Sequence, residues 1–546
     1  MTKYHSFPLA QLRQIVVVMA IFVVAPILAR ADVKLPLIFE DHMVLQRDNP
    51  IPVWGRADPG EEITVTFGDD RVTAKADPDG KWRVFLNKTG ADAKPRTLTI
   101  KGKNTVKFED VLVGDVWVCA GQSNMEFYLG QSHKADVDVP AAHDPQLRLF
   151  RVLNRTSIKP QEDVALWNGK KWMVCNPEDA KTFTAVGYYF GRELRKNLNI
   201  PIGLIYSAQG GSKAQLWTSL DAIEENTAAD PEFKSWLEKR QVVVDNFAKR
   251  QAEYPAAKEK YDQDIRRWSG NPASGSEPKP QEPEPPDGGP YNSFMVGTIY
   301  NAMIAPLTHF AIKGVIWYQG ESNCENSRQY HALFPILITN WREKWGQGNF
   351  PFLFVQLPNL NKPATEPVES DNGCFWTGIR DAQAKALALT NTGMATTIDV
   401  GDPYNVHGKD KYDVGYRLSL VARHLVYGED IVCTGPVYDS MNIEGQKILI
   451  SFKSTGGGLE IGTPPWSPSG KIPPLADKLK GFAIAGADRK WVWAKALIQG
   501  DQVVVWSELV SNPVAVRYGW ADNPPCNLYN RDKLPAAPFR TDDWQP

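Results

Sequence analysis

In Val111-Leu112-Val113-Gly114-Asp115-Val116-Trp117-Val118-Cys119-Ala120-Gly121-Gln122-Ser123-Asn124-Met125, a short and mostly apolar run stops at small residues and delivers a serine. Such a run suits a strand buried on both faces. Four similar runs follow it. Ile202–Ala208 closes at Gly210-Gly211, and Ile312–Tyr318 closes at Gln319-Gly320-Glu321. Phe352–Leu357 and Met394–Val400 complete the set. Between them Leu333, Leu337 and Trp341 fall on one helical face, as do Val414, Leu418, Val421 and Leu425. Strands alternating with helices predict an α/β/α region with a parallel sheet covered on both faces. In that architecture ligands bind beyond the carboxyl ends of the strands. The polar clusters of this chain sit at those ends.

Outward from that centre the pattern changes. Residues 32–112 carry short alternating runs, such as Ile63-Thr64-Val65-Thr66-Phe67 and Trp82-Arg83-Val84-Phe85-Leu86. Asp58-Pro59-Gly60 and Asp77-Pro78-Asp79-Gly80 punctuate them, so a small β-sandwich-like domain is expected. The α/β region then runs over 113–430. Within it, 222–290 is an insertion: 222–265 is highly charged and reads as a solvated helix or helical pair. Residues 270–290 are too rich in Pro, Glu and Gly to pack and read as a surface loop. Beyond 430, Ile448–Phe452, Trp491–Trp493 and Val503–Trp506 predict a C-terminal β domain over 431–546. The 546 residues, 42% hydrophobic and 23% charged, are enough for several cores and exclude global disorder. A net charge of -2 gives no basic surplus for nucleic acid.

Lys3 and Arg13 precede the apolar run Ile15–Ala29, and Ala29-Arg30-Ala31 fits a small-x-small cleavage site. Residues 1–31 therefore read as a signal peptide, and the mature protein as secreted or periplasmic, without stable membrane insertion. Six cysteines without C-x-x-C spacing indicate neither a zinc site nor a disulfide-dense scaffold. H-E-x-x-H, Walker A and G-x-G-x-x-G patterns are absent, so no metal and no cofactor are expected.

The chemistry belongs to the strand ends. A serine in a tight strand-to-helix turn exposes its hydroxyl, which makes Ser123 a candidate nucleophile; a plain helix N-cap is the alternative. Gly210-Gly211 lets backbone approach a ligand, and Gln319 offers a carboxamide donor at a strand end. Gln122, Asn124 and Glu321 are candidate substrate-binding groups. Few histidines are available as a base. His407 follows the Met394–Val400 run at the same end of the sheet, whereas His309, His331 and His424 fall in helical patterns.

Together these blocks resemble the sialate O-acetylesterase family of SGNH-type serine esterases. The likeness spans Met43-Val44-Leu45-Gln46-Arg47 with Pro52-Val53-Trp54-Gly55, then Gly121–Glu126, Ile316–Asn323 and Arg517–Pro524. The resemblance implies an SGNH-like α/β/α domain flanked by β domains, acting on acetylated carbohydrate without a metal. It also implies Ser123 as nucleophile, His407 as base, and an oxyanion hole of Ser123, Gly211 and Gln319. One departure concerns the acid. Relatives carry Asp-Ile-His-Pro where this chain has Asn405-Val406-His407-Gly408, and the position three before the histidine is Tyr404. Asp402 is taken as the third catalytic residue, with Asp399 or a backbone carbonyl as alternatives. A xylan-type polysaccharide acetylesterase and a non-catalytic carbohydrate-binding protein are the competing readings of function.

Overall fold

The computed structural model describes residues 32–270, 280–283, 295–368 and 375–544. The expected signal peptide and most of the 270–290 loop lie outside them. The centre of the molecule is a mixed α/β body around a mostly parallel sheet. Its strands are β1 (Thr105–Gly121), β2 (Asp144–Arg151), β3 (Met173–Cys175), β4 (Ile202–Ala208), β5 (Gly314–Tyr318), β6 (Phe352–Val355) and β7 (Thr392–Ala395). They lie in the order β7-β6-β5-β1-β4-β2-β3, with every neighbouring pair parallel except β2 and β3. From β1 the chain builds outward on one side and then, after β4, crosses to the other. That places β1 between β4 and β5 at the point where the winding reverses, the usual ligand crevice of such sheets.

Helices cover both faces, and the register proves it. Trp317 pairs with Ala120, so the two share a face, while Trp117 lies three residues earlier and points the other way. Trp117 meets Phe190 of α2 (Ala185–Leu198), and Trp317 meets Trp341 of α4 (Ser327–Trp345). On the first side α6 (Lys411–Leu425) packs along α2; on the second α5 (Trp376–Lys385) packs along α4. The Thr184 and Asn326 side chains cap α2 and α4 by accepting from Gly187 and Gln329 N–H groups.

The expected joint at 112/113 falls inside β1. Its first half pairs antiparallel with Asp92–Lys101 and parallel with Val44–Gln46; its second half enters the central sheet. A single apolar core accordingly runs from Val33 through Ala422. A second core, from Ile448 to Phe539, lies between small antiparallel sheets of the C-terminal region. The charged insertion takes in the end of a short helix (Leu220–Glu225) and a long one, α3 (Pro231–Gly270), with Pro255 inside it and Phe233 buried at its start.

Candidate functional site

Ala208 and Tyr318 both register on Gly121, so β4, β1 and β5 end at one level. Gly121 has φ of 141°, and a Cβ there would sit 2.1 Å from the Tyr318 carbonyl oxygen. Only glycine fits. The three loops leaving this level are tied to it: Gln122 N–H donates to Tyr318 O at 3.0 Å, and Gln209 N–H donates to Gly121 O at 3.0 Å.

Ser123 opens α1 (Ser123–Glu126), one helical turn. It is half-buried, and as a first-turn residue its N–H has no partner within the helix. Gly211, exposed and at φ of 69°, has open space where a side chain would stand. Its N–H donates to no protein group among the described residues. Gly210 instead donates its N–H to Glu126 Oε2 at 2.6 Å, and its missing Cβ position lies 3.6 Å from Ser123 Cβ. Glu126 Oε1 also accepts from Asn154 Nδ2 at 2.9 Å. Helix α1 thus fastens the diglycine loop beside Ser123.

Gln319 is fully buried. Its Nε2 donates to Ser212 O at 3.2 Å and to Asn323 Oδ1 at 2.7 Å, while Tyr330 Oη donates to its Oε1 at 3.1 Å. Both amide hydrogens are committed to holding the loop after Gly211. Gln122 is also buried, and its Oε1 accepts from Ser322 N–H at 3.2 Å.

His407 lies in the loop between β7 and α6, half-buried, with its N–H donated to Asn405 Oδ1 at 2.9 Å. Burial, reinforced by the Lys411 charge, pushes the imidazole below the ordinary histidine range; Glu126 opposes the shift. The ring makes no hydrogen bond to a described residue. Asp402 Oδ1 accepts from Tyr404 N–H at 2.9 Å, and Tyr404 itself is 85% exposed. Both Asp399 oxygens are engaged by Arg417, at 2.6 and 2.8 Å, with Tyr529 Oη donating at 3.0 Å. Glu126 is the acidic group whose field reaches the imidazole.

Asn124 connects serine to histidine. Its Nδ2 donates to Val406 O at 2.9 Å and to Glu321 Oε1 at 2.6 Å, and its Oδ1 accepts from Lys411 Nζ at 2.6 Å. Asn124 is fully buried and Glu321 nearly so; the hydrogen bonds of both go to protein groups. Gln122, Asn124 and Glu321 thus hold neighbouring loops together, while Glu321 Oε2 is buried without a hydrogen-bond partner among the described residues. Lys411, Glu126 and Asn154 were not singled out from sequence. Lys411 sits in Gly408-Lys409-Asp410-Lys411, a stretch that reads as solvated, and only folding reveals its burial.

A cavity of about 1060 Å³ lies elsewhere: Trp54, Trp82, Tyr300 and His309 line it between the N-terminal strands and the α/β body. Chemical grouping, not volume, locates the site at Ser123. Cys324 beside it is disulfide-bonded, whereas Cys119, Cys175, Cys433 and Cys526 are free. Among the described residues no helix is long and apolar enough to cross a membrane.

Comparison with known proteins places this geometry. Residues 113–246 and 281–419 match the family model for carbohydrate esterase, sialic acid-specific acetylesterase. The sialate O-acetylesterase of Mus musculus is 29% identical over 543 residues, covering 92% of each chain. That of Homo sapiens is 28% identical, covering 91% of this chain and 90% of its own. A solved carbohydrate acetylesterase from Xanthomonas citri is 37% identical with a TM-score of 0.74, covering 94% of this chain and all of that one.

Proposed function

The chain belongs to the sialic acid-specific acetylesterase family of carbohydrate esterases and is a carboxylic ester hydrolase; we propose that it removes O-acetyl groups from carbohydrates through an acyl-enzyme on Ser123. One observation carries the mechanism: the residue after Ser123 hydrogen-bonds the residue before His407. That bond ties the loop of His407 to the turn of Ser123, which supports reading the two as base and nucleophile. His407, kept unprotonated by burial, takes the Ser123 proton as Oγ attacks the acetyl carbonyl. The oxyanion rests on the N–H groups of Ser123 and Gly211. His407 then protonates the departing sugar hydroxyl, and water, activated by the same imidazole, releases acetate and frees the serine.

Gln319 acts at one remove in this scheme, fixing the loop that presents Gly211. The field of Glu126 favours the imidazolium in this scheme, and Asp402, which accepts from Tyr404 N–H, makes no hydrogen bond to the ring. A serine on a strand-to-helix turn with a late histidine fits an SGNH-type esterase. The apolar leader over 1–31 and the disulfide at Cys324 fit a secreted or periplasmic enzyme.

The test is acetate release from an aryl acetate, acetylated xylan and O-acetyl sialic acid by the protein and its Ser123→Ala variant. Ser123→Ala should lower the rate by roughly 10⁴-fold or more with its fold intact. A variant that retains full activity removes Ser123 from the mechanism.

A further inference from the structure

Two peptide carbonyls flank His407, and both are held by side chains. Val406 O accepts from Asn124 Nδ2 at 2.9 Å, and Gly408 O accepts from Lys411 Nζ at 2.6 Å. The two holders are joined, because Lys411 Nζ also donates to Asn124 Oδ1 at 2.6 Å. Asn124 is in turn anchored to Glu321 Oε1. Lys411 and Asn124 are both at least 99% buried. A lysine is almost never found there without partners and a reason.

We propose that Lys411, acting with Asn124, is the positioning device for the catalytic base: it locks the carbonyls of the two residues flanking His407 to the helix that carries Ser123. The inference rests on the Ser123–His407 reading and deepens it. Without such a lock the imidazole would sit on a loop whose nearer contacts are few. Asn405 Oδ1 is the one side-chain acceptor on its own backbone N–H, and the ring has no carboxylate partner among the described residues. An imidazole that no aspartate orients must be oriented through its own main chain. Lys411 and Asn124 supply that from both directions, on elements that start at α6 and α1.

The ammonium group has a second consequence for the base. Lys411 faces His407, Glu321 and Asp410, with the rings of Phe127 and Tyr318 at 4.8 and 5.5 Å from its Nζ. Burial pushes the Lys411 ammonium down to about 7, so it carries its charge on the acid side, where that charge works against protonation of His407, whereas Glu126, from α1, works for it. Removing the lysine therefore loosens the imidazole and also lets it hold a proton at higher pH. A purely structural lysine would do neither selectively.

The experiment compares Lys411→Met, of similar length and without donors or charge, with the parent enzyme on an aryl acetate across pH. His407→Ala is run in parallel. The expected result is a kcat lower by roughly 100-fold, the scale of loss that accompanies a small misplacement of a reacting group. KM should stay within about twofold, and the acid limb of the kcat/KM profile should move to higher pH. Unchanged kcat, or a loss with the acid limb unmoved, overturns the proposal. If Lys411→Met does not fold, Lys411→Gln, which keeps a shorter polar group in the same place, is read by the same two criteria. Full activity in His407→Ala would instead overturn the base assignment itself. Inactive His407→Ala beside fully active Lys411→Met would overturn only the positioning role.

Discussion

Glu126 and Lys411 bear on His407 with opposite signs, and that opposition is measurable. The base works unprotonated, so the rate rises with pH through its pKa. Glu126 raises that pKa and Lys411 lowers it. Glu126→Gln keeps an acceptor for Gly210 N–H but removes the charge. Its kcat/KM acid limb should move to lower pH, the reverse of Lys411→Met; a pH–rate profile checks it, and a move in the same direction contradicts it. The placement of polar residues at strand ends was legible in the sequence: the loops after Gly121, Ala208 and Tyr318 do leave the sheet at one level. What was not legible is commitment. Gln319 and Asn124 look like free carboxamides in sequence, yet each spends its hydrogens on neighbouring loops.

Among elements, the four-residue α1 does more than its length suggests. From the same turn as Ser123, Asn124 reaches the His407 loop and Glu126 reaches the diglycine loop. A single helical turn can do this because successive side chains leave it about 100° apart. The strands β1, β4, β5, β6 and β7 were readable as apolar runs. By contrast β2 was hidden in what reads as a long loop, because Arg148 and Arg151 interrupt it. Both arginines are buried by partners distant in sequence. Arg148 pairs with Asp110, at 2.7 and 3.1 Å, and Arg151 lies over the Trp167 ring at 3.6 Å. Hydrophobic periodicity cannot register a charge whose burial depends on tertiary contact. The charged insertion was readable as helical, though its continuity through Pro255 was not: proline usually breaks or kinks a helix interior.

At the scale of the whole molecule, one buried side chain makes several of the bonds that stitch the C-terminal region to the catalytic body. Arg380 of α5, 1% exposed, donates to the carbonyls of Leu357, Pro358, Ala521 and Asp522. Leu360 and Ala364 N–H groups donate back to Asp522 O and Asn523 O, at 3.1 and 2.9 Å. The late block Arg517–Pro524, recognisable in sequence only as a resemblance, thus has a physical task. Arg380→Leu strands several buried carbonyls at once, so it should lower stability by about 3 kcal/mol. Urea unfolding measures this, and an unshifted midpoint would show that the seam carries no stability.

The catalytic statements all depend on acyl transfer to Ser123. The most direct measurement is the mass of the Ser123-bearing peptide after acid quench during turnover of an aryl acetate, with Ser123→Ala alongside. One added acetyl group on Ser123, absent from the variant, is the predicted result. Steady acetate release with no acetyl on that peptide, or with the acetyl on another residue, would contradict the account.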